Sequence, residues 1–141
     1  GRLADELLDQ GRADAAIAAA LRALALARQI GDAANAGGTW ETLGQVARAV
    51  SIPVTIEGVT YGAEECFAES VRVLREAGME GPAARTLRTW AKDLWTQGER
   101  ERAQALWREA RDIFTRLGMA PELAGMADQP GGDSMTHGPI A

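Results

Sequence analysis

Side chains able to do covalent chemistry are few. The one histidine, His137, stands near Ser134 in a run rich in Gly, Pro, Ser and Asp. A nucleophile needs a base held beside it, and such a run is expected to be a disordered tail, so no catalytic residue is assigned. The one cysteine, Cys66, follows Glu64 and Glu65. A reactive thiol needs an electropositive, accessible setting, so Cys66 is expected to pack as a small buried side chain. A lone cysteine also excludes an internal disulfide and a Cys-rich zinc site. The carboxylate pairs Asp5-Glu6 and Glu64-Glu65 are adjacent in sequence. Neighbours on a helix point apart, so both pairs read as solvated faces. Gly37-Gly38-Thr39 lacks the preceding Gly and the Lys of a phosphate loop. It reads as a flexible lead-in to a helix, with Thr39 or Asn35 as cap. No metal-ligand spacing occurs, and neither metal nor cofactor is expected.

What remains is binding. Arg85, Arg88, Lys92 and Trp95 follow one another at intervals of three, four and three. That spacing lays them along one face of a helix. A cationic, aromatic stripe suits an acidic peptide or a terminal carboxylate. The plainer alternative is a solvated face with Trp95 packed on a neighbour.

The elements that would carry this stripe are helical. Leu87, Trp90, Ala91 and Leu94 recur at i, i+3, i+4 and i+7. Trp40, Leu43, Gly44 and Ala47 repeat the pattern, and Leu3, Ala4 and Leu7 begin it again. Gly31, Gly78 and Gly118 each close an apolar-periodic stretch, as helix C-caps do. Upstream of them lie small residues, Ala23, Ser70 and Ala110, and seven positions earlier Ala16, Ala63 and Ala103. Small residues on one face let a second helix come close. Six helices in three antiparallel pairs follow, near 2–10 and 12–30, 35–50 and 62–77, 82–97 and 99–117. Gly11 is expected to end the first of them. An insertion at 51–60 contains Pro53 and a β-branched run. It reads as an ordered loop that can tuck Ile52, Val54 or Val59 onto the core. Pro121 suits a short final helix, with Leu123 and Met126 capping the last pair. The tail is expected at 128–141.

Composition agrees. The chain has 141 residues, 46% apolar and 25% charged, with a net charge of −5. These values fit one folded domain, here 1–127, and not a basic nucleic-acid binder. No apolar run is long enough for a membrane span and no secretory signal opens the chain.

The third pair resembles a tetratricopeptide repeat. Leu87, Trp90-Ala91, Leu94, Gly98, Ala103, Trp107 and Ala110 fill that family's large, small and turn positions. Trp40, Leu43-Gly44, Ala47, Ala63, Phe67 and Ser70 match moderately. Leu3-Ala4, Leu7, Gly11, Ala16, Ala20 and Ala23 match weakly. Repeats of about 1–31, 35–78 and 82–118 are longer than usual and lack the closing proline. They are similar to the long repeats at the C-terminal ends of bacterial signalling ATPases and regulators.

The resemblance implies an all-α, right-handed superhelical solenoid of about three hairpins with a C-terminal capping helix. It implies a cytoplasmic, non-catalytic protein-interaction module within a larger protein, and the short first helix fits such a fragment. It also implies that Arg85, Arg88, Lys92 and Trp95, with Glu41, Gln45 and Arg48 of the second repeat, face a concave groove that takes a peptide or partner protein. Two other readings stay open. One is homodimerisation through the end of the solenoid. The other is a small-ligand sensor using the groove and the 51–60 loop, with Trp95 or Ile56 lining a pocket.

Overall fold

The computed structural model describes residues 2–132 and is all-α apart from one small β-hairpin. The helices are α1 (Arg2–Ile30), α2 (Ala33–Val50), α3 (Ala63–Glu76), α4 (Glu80–Thr96), α5 (Arg100–Leu117) and α6 (Ala120–Ala124). Strands β1 (Val54–Ile56) and β2 (Val59–Tyr61) lie between α2 and α3. Among the described residues, no helix is long and apolar enough to cross a membrane. The chain divides into two compact units that meet in sequence at Gly78 and Met79.

In the first unit, α1 is continuous, which corrects the expected break at Gly11. Glycine in a helix costs about 1 kcal/mol relative to alanine. The surrounding Ala, Arg, Gln and Leu residues are good helix formers, and no proline forces a stop. Gly11 therefore stays helical, and the first of the three expected hairpins does not form. Small residues of α1 do not all lie against a neighbour either: Ala16 and Ala23 are exposed, while Ala20, Leu24 and Ala27 are buried. Gly31 then takes a left-handed φ of 71°, and the Asp32 N–H donates back to the Ala27 carbonyl at 2.8 Å. The same device recurs at Gly98 and Gly118, where Glu99 donates to Leu94 and Met119 to Phe114, both at 2.9 Å.

Helix α2 starts at its true cap, Asp32, whose carboxylate accepts from the Asn35 N–H at 3.1 Å. Asn35 and Thr39 are therefore not the cap, and Gly37-Gly38 is not a loose lead-in. Gly37 is buried inside α2, against α3. A methyl group there would overlap the end of Leu74, and one at Gly44 would stand 3.0 Å from the Phe67 ring. The two helices thus touch backbone to side chain, and buried Ser70 crosses the seam to donate to the Gly37 carbonyl at 2.7 Å. Trp40, Leu43, Phe67 and Leu74 fill the space between. Each such side chain contributes about 1.5–3 kcal/mol through burial.

The insertion, expected as an ordered loop, is a β-hairpin. Ile56 pairs with Val59 across Glu57-Gly58, both of which have positive φ. Two such residues make the tight turn whose twist matches a strand pair. Val54 is buried as expected, whereas Ile52, which precedes the strand, and Val59, which stands next to the turn, are exposed. Tyr61 lies 4.8 Å from Trp40, and Glu57 reaches Arg28 of α1 at 3.6 Å.

In the second unit, α4 and α5 form an antiparallel hairpin. Ala83, Ala84, Leu87, Ala91 and Leu94 pack against Ala103, Trp107, Ala110 and Phe114. Trp90, expected among the packing residues, is half-buried. Gly81 is filled from outside by Met119, whose sulfur would lie 3.3 Å from any added methyl group.

Gly37 and its neighbour test the α2–α3 seam. Gly38 has open space around it, so Gly38→Ala is expected to raise stability by about 1 kcal/mol through helix propensity alone. Gly37→Ala is expected to lower it by about 1–3 kcal/mol through overpacking. Thermal unfolding of the two variants measures the contrast, and equal shifts would show the seam to be loose.

Candidate functional site

Arg85 and Arg88 lie one turn apart on α4, and both reach the same carboxylate. Arg85 Nε is 3.3 Å from Glu122 Oε1, and an Arg88 terminal nitrogen is 2.7 Å from Glu122 Oε2. The Arg88 guanidinium also stands 5.3 Å from the centre of the Phe114 ring. That apolar floor holds the cation in place and attracts it through the ring's negative face. The two arginines, Arg88 foremost, keep the Glu122 carboxyl below its ordinary value.

Trp95 lies two turns beyond Arg88 on the same face and is half-buried. Arg100 covers its ring at 4.3 Å. Gly131 lies so close to it that any side chain there would overlap the indole. Lys92 sits between Arg88 and Trp95 in the series and is exposed. The four residues nominated on α4 therefore share one face of the second unit, and the stripe is built around a carboxylate of the chain itself.

Glu41, Gln45 and Arg48 lie on α2 of the first unit. Gln45 is exposed, and Glu41 and Arg48 are half-buried. Within that unit an open hollow of about 210 Å³ is lined by Ala27, Arg28, Trp40, Arg72 and their neighbours. A second hollow, of about 360 Å³, runs along the small residues Ala16, Ala19, Ala20 and Ala23 of α1. Neither is lined by Ile56.

Several partners of the stripe were not anticipated from the sequence. The Trp107 indole N–H donates to the Ala127 carbonyl at 2.8 Å, and Arg111 donates to the same oxygen. Gln104 donates to the Asp128 carbonyl at 3.2 Å. Met126 and Pro130 are buried, while Leu123 is half-buried. The expected capping by Met126 thus holds. The chain expected to be tail from Asp128 onward stays packed as far as Gly132, because its carbonyls satisfy side-chain donors of α5. His137 and Ser134 lie outside the described residues. Glu122 carried no distinguishing signal: it is an ordinary acidic residue 34 positions from Arg88.

Cys66 is fully buried, and burial, then Glu65 and Glu69, push its thiol up to about 11. It is protonated and packed at neutral pH. Among the described residues no group of three or more His, Cys, Asp or Glu could hold a metal ion. Comparison of the chain with family profiles, with curated proteins and with solved structures finds no match.

The depressed Glu122 value fixes the direction of a pH effect. Its contribution is fully present above the ordinary value of 4.5 and is lost as pH falls through the lower folded value. As pH falls below about 4.5, the protection of the Leu123 and Met126 amides against hydrogen exchange is expected to fall. In Glu122→Gln that change should vanish. The same fall in the variant would show that Glu122 does not hold the segment.

Proposed function

We propose that this chain is a non-catalytic protein-interaction module whose second unit binds an acidic segment of a partner protein. One observation carries the reading: two arginines, one of them resting on the Phe114 ring, already converge on a carboxylate. Charge-assisted pairs of that kind are the usual means of holding acidic side chains or a chain terminus. Lys92 and Trp95 extend the same face with a further cation and an aromatic surface. The tetratricopeptide-like positions in α2–α3 and α4–α5 support a binding role, as does the scarcity of nucleophiles and titratable bases. In this reading the module is the cytoplasmic C-terminal part of a larger bacterial signalling or regulatory protein.

A fluorescein-labelled peptide of eight glutamates tests the proposal by anisotropy. Arg88→Glu is expected to weaken binding at least about tenfold, a change of roughly 1.4 kcal/mol. Arg102→Glu, an exposed cation elsewhere on the second unit, should change it little. Equal losses in the two variants would mean only diffuse charge attraction and would refute the site.

A second reading has its own observation. Leu3, Leu8, Leu26 and Ile30 of α1 are each more than half exposed. Exposed leucines on one long helix favour pairing with a second copy of the chain. Sedimentation velocity across a hundredfold concentration range is expected to show a monomer–dimer shift that Leu26→Glu/Ile30→Glu abolishes. A concentration-independent monomer would end this reading.

A further inference from the structure

One run of the chain, Met119–Gly132, meets the cationic face at both ends, at Arg85 and Arg88 and again at Trp95. Met119 fills the space beside Gly81. Glu122 enters between Arg85 and Arg88. Met126 is buried, Ala127 and Asp128 accept from α5, and Gly131 lies against Trp95.

The two halves of this strap are held differently. Its later half is anchored by buried Met126 and Pro130 and by the hydrogen bonds to Ala127 and Asp128. Its earlier half, α6, has five residues and buries none of them. A helix that short has no stability of its own, so its position rests on Met119 and on the Glu122 charge pairs. Lifting α6 breaks those contacts while exposing little apolar surface, with Met126 as the pivot.

We propose that this strap is an intramolecular ligand, and that a partner binds by exchanging with it. The inference rests on the acidic-segment reading above and adds its regulation and the pattern of the ligand. The strap itself supplies that pattern. It has a glutamate with an apolar side chain three residues before it, as Met119 precedes Glu122. A tethered segment competes at an effective concentration on the order of millimolar. The partner must therefore exceed a threshold, and an acidic segment without the apolar flank needs a higher concentration to reach it.

The full chain tests this with a fluorescein-labelled peptide copying residues 117–127 and a second peptide carrying Gln in place of the glutamate. Glu122→Gln leaves the buried anchors untouched and weakens only the internal competitor. It is expected to bind the glutamate peptide at least about tenfold more tightly than the wild type, and the glutamine peptide far less. Adding Arg88→Glu to Glu122→Gln should remove the gain. Equal binding of the glutamate peptide by wild type and Glu122→Gln would overturn the exchange. So would its failure to bind either protein while the eight-glutamate peptide still binds in an Arg88-dependent way; the acidic-segment reading would then stand alone. Failure of both peptides on every variant would remove that reading as well.

Discussion

An indole has one polar atom, and burying the ring obliges that atom to find an acceptor or forfeit a hydrogen bond. Trp107 is buried in the α4–α5 hairpin. Its acceptor comes from outside the hairpin, from Ala127. That single requirement draws the chain back across α5 after it has turned at Gly118. The rest of the strap follows from the return. Met126 is buried, Glu122 is brought to Arg85 and Arg88 of α4, and Gly131 is left against Trp95. Trp40 shows the other outcome. Its indole nitrogen is buried without a partner, and packing against Tyr61 and Arg28 must offset the lost bond.

The first unit depends on close approach instead. Gly37 and Gly44 remove side chains at two points of the α2–α3 contact, and Leu74 and Phe67 occupy the vacated space. Ser70 is buried there at no cost, because its hydroxyl has the Gly37 carbonyl to bond. The β-hairpin is a consequence of the same packing. Its Val54 is buried and Tyr61 lies against Trp40, while Ile52, before the strand, and Val59, next to the turn, are exposed.

Local physics made much of this legible. The periodicity of α2, α3, α4 and α5, the glycine caps and the α4 stripe are encoded within a few turns of chain, so the residues alone reveal them. Where reading failed, a competing local rule decided. Gly11 looked like a stop but tolerates a helix when its neighbours favour one. Glu57-Gly58 was the turn of a hairpin, hidden because Pro53 and the β-branched residues were weighed only as helix breakers. Asp32 capped α2 from outside the expected boundary. Glu122 is a different case. Its role exists only once the chain has folded back over 34 positions to meet Arg88, and no local pattern records such a meeting.

The rarity of one amine has a practical corollary. Lys92 is the chain's single lysine, and it lies within one helical turn of both Arg88 and Trp95. Every other basic side chain apart from His137 is an arginine, which does not give up its proton. An amine-directed dye or crosslinker would therefore have one side chain to attack, beside an indole able to quench or transfer light. The molecule carries its own labelling address on the face where contact with another chain would be felt.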